Sequence, residues 1–191
     1  MKLIIASGNA GKIREIRAIL GEKFEEILSI REAGIDHETI EDGATFMENA
    51  RKKAKEIAEI SGCAALADDS GICVDALGGE PGIYSARYCG RHGDDEATNR
   101  LLVEKLQGEE NRTAHYTCAM CLCFPDGREV SAEGYLYGEI VDTPKGDGGF
   151  GYDPYFYLPQ YGCTAAELSA EKKNQISHRA EALQKLLFHL S

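Results

Sequence analysis

The sequence predicts an α/β fold, a mixed sheet flanked by helices, and three observations carry the prediction. Short apolar runs of strand character are intermixed with amphipathic helical patterns from one end of the chain to the other. A glycine turn joins the first apolar run to the first helical pattern, giving the order strand, loop, helix. Two strand-like runs meet at "PDG", residues 125–127, which reads as an antiparallel hairpin. At 191 residues the chain suits one domain, 1–191, with room for two lobes.

Residues 2–6 read as a short buried strand, and Ile13, Ile16 and Leu20 recur at helical spacing behind them. "EEILSI" reads as a second strand, followed by an acidic loop over 31–43. From Thr45 to Ile60 the positions Phe46, Ala50, Ala54 and Ile57 line one helix face, with Thr45 as N-cap and Gly62 beyond the end. "CAALA" and "ICVDAL" read as two strands flanking "DDSG", and "GGEPGIYSARYCGRHGDD" as a long glycine-rich loop. Asp94 caps a helix that runs to Leu106 and is ended by Gly108. After the hairpin, "VDTPKGDGGFGYDPYF" is irregular, and "TAAE" is a capping box at Thr164 and Glu167. A last helix begins near Ser177 and carries Leu183, Leu186, Leu187 and Leu190 along one side. The sequence contains no linker, internal repeat or low-complexity tract.

Charge narrows the function. Thirty-two acidic against 21 basic side chains give a formal charge of -11, which opposes polyanion binding and argues against a nucleic-acid partner. A small phosphorylated ligand would need a metal and a few placed cations to reverse the local field. The apolar stretch at residues 3–6 is too short for a signal core, and no run reaches the ~18 apolar residues of a membrane span. A cytoplasmic protein without a membrane partner is expected, and seven cysteines fit reduced thiols better than a disulfide framework. In "TAHYTCAMCLCF", strand alternation turns Cys118 away from Cys121 and Cys123. Buried thiols are therefore the expectation there, because a closed zinc site wants four converging ligands.

Four places offer chemistry. "ASGNAGK" places Gly8, Gly11 and Lys12 at a helix start, where backbone N–H groups favour anions and Asn9 adds a neutral donor. It is not a Walker loop, since only Asn9 and Ala10 separate the glycines and Ile13 follows the lysine. A tight turn would use the same residues. Asp68 and Asp69 are adjacent, so their side chains point to opposite sides and serve different tasks. Glu38, Glu41 and Asp42 lie in the loop before the lysine-bearing helix, and Glu41 with Asp69 suits magnesium, which accepts one or two carboxylates, waters and phosphate oxygens. A solvated acidic loop is the plain alternative. Phe150 and Tyr152 are ring platforms among glycines, and His178 and Arg179 are hydrogen-bond donors at a helix start. Core packing and an exposed helix terminus are the plain readings, and taken singly they outweigh a functional one. His37, His92, His115 and His189 show no metal spacing.

"SGNAGK", "EDGATFMENARKKA", "ADDSG", "GGEPGIYSARY", "GGFGYDPYF", "TAAEL" and "ISHRAEAL" occur in this order over residues 6–183. With these motifs in register, the chain resembles the inosine/xanthosine triphosphate pyrophosphatases, which hydrolyse the triphosphates of deaminated purines to the monophosphate and pyrophosphate. The resemblance implies a long, curved and twisted mixed sheet with helices, two lobes with an active-site cleft between them, a homodimer and a Mg2+ cofactor. It further implies that Ser7, Gly8, Asn9, Ala10, Gly11 and Lys12 hold the triphosphate with help from Lys53. Glu41 and Asp69 would bind the metal, with Asp69 as proton acceptor. Ser70 would touch substrate, and Phe150, Gly151, Tyr152, Asp153, Lys173, His178 and Arg179 would face the nucleoside. Two other readings stay open: a related pyrophosphatase for other modified or pyrimidine nucleotides, and a nucleotide-binding regulator that does not cut. A glycosidase is disfavoured, because nothing sets a second carboxyl across from Asp69.

Overall fold

The computed structural model describes residues 1–21 and 23–190; Glu22 and Ser191 lie outside the described residues. Leu3, Ile4 and Ile5 are all buried and form β1 (Lys2–Ile5), the continuous apolar run of a strand covered on both faces. The Asn9 side chain accepts from the Lys12 N–H at 3.1 Å and so caps α1 (Ala10–Leu20). β2 (Glu26–Ser29) pairs in parallel with β1, Leu3 opposite Ile27. α2 (Phe46–Ser61) starts where Thr45 accepts from the Glu48 N–H and ends at the left-handed Gly62, as the sequence predicts.

β3 (Ala64–Val74) pairs in parallel with β1, and here one expectation is corrected. "DDSG" does not separate two strands; it lies inside a single strand of 11 residues. Gly71 is there for room, since a Cβ on it would lie 2.4 Å from both the Gly82 carbonyl oxygen and Ser85 Oγ. The strand ends at Val74, and Asp75–Leu77 is a 3-10 turn rather than strand. The glycine-rich loop holds a second 3-10 segment, Gly82–Arg87. α3 (Asp95–Lys105) is capped by Asp94. β4 (Thr113–Cys123) and β5 (Glu129–Ile140) follow, joined by a turn in which the Gly127 N–H donates to the Phe124 carbonyl at 3.0 Å.

β6 (Phe156–Leu158) and β7 (Cys163–Thr164) complete the sheet, with β5 to β6 and β6 to β7 antiparallel. The capping box at Thr164 and Glu167 is present but closes only a 3-10 turn, Ala165–Glu167. The sequence reading missed α4 (Ala170–Ile176), capped by Ser169. α5 (His178–Phe188) buries Leu183 and Leu186, whereas Leu190 falls beyond it and is exposed. The result is a mixed, open seven-stranded sheet in the order β2-β1-β3-β4-β5-β6-β7, flanked by helices. No helix among the described residues is long and apolar enough to cross a membrane.

The backbone forms two compact units. The first comprises Met1–Asp69, Cys118–Gly134 and the chain from His178 onward. On one face of its strands, Leu3, Ile5, Leu66, Cys118, Met120 and Leu122 pack with Ile16 and Leu20 of α1 and Leu183 and Leu186 of α5. On the other, Ile4, Ala65, Ala67, Ala119, Cys121 and Cys123 pack with Ala50, Ala54 and Ile57 of α2. Strand alternation thus assigns Cys118 and Cys121 to opposite layers. Each fully buried Leu or Ile stabilises this unit by about 1.5–3 kcal/mol. The second unit, Ser70–Thr117 and Tyr135–Ser177, buries Ile72, Val74, Leu102, Leu106, Tyr116, Leu136, Tyr152 and Phe156 together.

Candidate active site

In the first unit the chain leaves β1 through Ser7, whose N–H donates to the Ile5 carbonyl at 2.9 Å. Ser7 Oγ accepts from the Asn9 N–H at 3.1 Å. Gly8, Asn9 and Ala10 are exposed and Gly11 is buried. The turn thus presents the start of α1 to solvent, where the first N–H groups of a helix attract anions. Lys12 folds inward to pair with Asp68.

Asp68 is the centre of a buried ionic set. Arg179 Nε donates to it at 3.0 Å and the Cys118 thiol at 3.0 Å, while Arg179 also pairs with Glu15. Two carboxylates therefore meet two cations, the condition under which buried charge is tolerated. Burial pushes the Asp68 carboxyl up, but the charges of Arg179 and Lys12 outweigh it and hold the group well below the usual carboxylate range. Burial, followed by the charge of Asp68, pushes the Cys118 thiol well above its ordinary value.

Asp69 leaves the opposite face of β3 toward α2, as the alternation of a strand requires. Its Oδ2 accepts from Asn49 Nδ2 at 3.0 Å, and its Oδ1 lies 3.6 Å from Lys53 Nζ. Lys53 Nζ is also 3.2 Å from Glu41 Oε2 and donates to the Asp68 carbonyl at 2.9 Å. Glu41 and Asp69 thus converge on one cation. An all-oxygen pair already gathered around a positive centre fits a hard divalent ion such as magnesium. Asp69 is raised above the ordinary carboxylate value, first by burial and also by Glu41, against the lowering fields of Lys53 and Lys12.

The loop that brings Glu41 here is tied to α2 along its length. His37 and Thr39 each bond Glu56 at 2.7 Å, Asp42 pairs with Lys52 at 2.7 Å, and the Gly43 N–H donates to Asn49 Oδ1 at 2.8 Å. Asn49 therefore fixes both the loop and Asp69. The sequence reading missed Asn49, although it precedes Lys53 by four residues and so shares its helix face. It also missed Glu15, three residues after Lys12.

In the second unit, Asp153 is a buried hub. Its oxygens accept from Lys173 Nζ at 2.6 Å, Tyr116 Oη at 3.0 Å and the Phe150 N–H at 3.0 Å. Lys173 Nζ also lies 4.8 Å from the centre of the Phe150 ring. Gly149 has φ +67°, and a Cβ on it would lie 2.0 Å from Asp153 Oδ2. Gly151 is held by Asp95 and Asn99, at 3.1 and 3.0 Å. Phe150 is half-buried. Tyr152, read from sequence as a second platform, is instead buried in the core with its hydroxyl on the Ser85 carbonyl at 2.7 Å. Ser70 is half-buried in β3.

The sequence-predicted residues therefore fall into two groups. Ser7 to Lys12, Glu41, Lys53, Asp69, His178 and Arg179 belong to the first unit, and Ser70, Phe150 to Asp153 and Lys173 to the second. His178 and Arg179 do not form an exposed helix start; both are buried, because the first turn of α5 rests on Gly134. A Cβ on Gly134 would lie 2.1 Å from the His178 carbonyl oxygen.

The first unit thus combines an exposed helix start, two ion-paired lysines and back-to-back carboxylates on a mixed α/β sheet. The chain belongs to the Ham1 family, whose model matches residues 3–189. It is 49% identical over 191 residues to a dITP/XTP pyrophosphatase of Geobacter sulfurreducens, covering 99% of this chain and 96% of that protein. It is 50% identical to a dITP/XTP pyrophosphatase of Exiguobacterium sp., covering 97% and 95%. The Ham1 protein of Staphylococcus aureus has a similar solved structure, with TM-score 0.88, 41% identity and coverage of 100% and 98%.

Proposed function

We propose that this protein is a magnesium-dependent pyrophosphatase that hydrolyses dITP, ITP and XTP to the nucleoside monophosphate and pyrophosphate. The observation that carries the reading is the meeting of Glu41, Asp69 and Lys53 at one point, in a chain about half identical to dITP/XTP pyrophosphatases.

Glu41 and Asp69 would hold the ion. When bound, magnesium neutralises phosphate oxygens and increases the electrophilicity of phosphorus. Asp69 takes a proton from the attacking water, and Asn49 keeps the carboxylate aimed. Lys53 and Lys12 balance the departing pyrophosphate, and the N–H groups at the start of α1 hold phosphate oxygens. In the second unit, Lys173 and Asp153 brace Phe150 as a stacking surface for a purine. By the family resemblance His178 would favour an acceptor oxygen at the six position of hypoxanthine or xanthine, whereas Arg179 is taken up by Asp68 and Glu15. Adenine has an amino donor there, which leaves polar groups unpaired. ATP should therefore be a poor substrate.

Support for a cytoplasmic setting comes from the cysteines, all free as suits a reducing compartment. The family resemblance adds a homodimer, measurable by sedimentation. The deciding assay is hydrolysis of dITP, ITP, XTP and ATP with magnesium and with chelator. Magnesium-dependent pyrophosphate release from the first three is expected. Orthophosphate as the primary product, or equal turnover of ATP, overturns the reading.

A further inference from the structure

Away from Glu41 and Asp69, the first unit gathers a second group of metal-competent side chains. Cys121 and Cys123 alternate onto the same face of β4, with their sulfurs 3.7 Å apart. Glu129, the first residue of β5 across the hairpin turn, brings a carboxylate oxygen to them. The two sulfurs and that oxygen all lie within 4.8 Å of one another. The thiols are buried and Glu129 is exposed, so the set is closed on the core side and open to solvent on the other. Arg51 Nε donates to the two Glu129 oxygens at 2.9 and 3.2 Å. A bonded neighbour of this kind orients a ligand carboxylate.

We propose that Cys121, Cys123 and Glu129 form a binding site for one thiophilic divalent ion of the zinc type, with solvent as fourth ligand. Two sulfurs and one oxygen with an open position match the donor number and softness that zinc accepts, whereas magnesium prefers all-oxygen surroundings. As each sulfur bonds the ion it releases its thiol proton to solvent, and the Glu129 carboxylate binds without losing one. Because the ligands come from both arms of the hairpin, the bound ion ties the end of β4 to the start of β5. The site is independent of the proposed hydrolysis.

The test is titration of the full-length, chelator-treated, thiol-reduced protein with Cd2+ alone, read by thiolate-to-metal charge-transfer absorbance and by thermal unfolding. One Cd2+ per chain, with a rise in Tm, is expected. Cys121→Ser and Cys123→Ser should each abolish the band. Cys63→Ser, which alters a thiol packed nearby but outside the three-atom set, and Cys163→Ser should keep it. Glu129→Gln, at an exposed position that does not threaten folding, should weaken binding about tenfold or more. Absence of the band in the wild-type protein, its survival in Cys121→Ser, or an unchanged affinity in Glu129→Gln overturns the proposal.

Discussion

Asp68 and Asp69 are neighbours in sequence with opposite electrostatics. Asp69→Asn removes the proton acceptor and should lower pyrophosphatase turnover by roughly 10²–10⁴. The same change should stabilise the protein at neutral pH. The Asp69 proton affinity is raised in the folded state, so folding is favoured below its unfolded pKa and this benefit is lost as pH rises through the folded value. Urea midpoints of variant and wild type should therefore diverge with increasing pH. Asp68→Asn should act the other way, costing about 3–5 kcal/mol at pH 7 by removing the buried charge that Lys12 and Arg179 share. Asp68 has a depressed folded pKa, so its contribution is present above the unfolded value of 3.8 and disappears as pH falls through the lower folded one. The urea difference should shrink at strongly acid pH.

At the scale of elements, glycines set the approach of backbone to backbone. Gly134→Ala drives a methyl into the first turn of α5 and should destabilise by about 1–3 kcal/mol, read from denaturant unfolding. Gly149→Ala combines a positive φ with collision against Asp153. It should displace Phe150 and raise KM for dITP more than it lowers kcat. Elements whose signals are local were legible: the Thr45 cap, the Gly62 stop, the "PDG" hairpin and the Asp94 cap all stand where sequence puts them. "DDSG" was misread because polar and glycine residues usually mark turns. Here Asp68 and Asp69 are satisfied by α1, α2 and α5, partners up to 111 residues away, which no local pattern reveals. The same distance explains why the partners of Arg179 could not be read from sequence. α4 escaped notice because seven residues are too few to develop a periodic pattern.

For the whole molecule, a charge of -11 means self-repulsion in the compact state. Adding potassium chloride toward 0.15 M, where screening acts over ~8 Å, should raise the Tm measured by calorimetry. Composition made that property legible, and the family motifs made the candidate site legible. Neither disclosed that the first unit is assembled from three separated stretches, the last beginning at His178. During synthesis on the ribosome, Arg179 emerges 111 residues after Asp68, followed by Leu183 and Leu186. Until then Asp68 lacks its guanidinium and the layer under α1 stays open. This unit must consequently wait for α5 before it closes, and nascent chains halted before residue 178 should remain protease-sensitive.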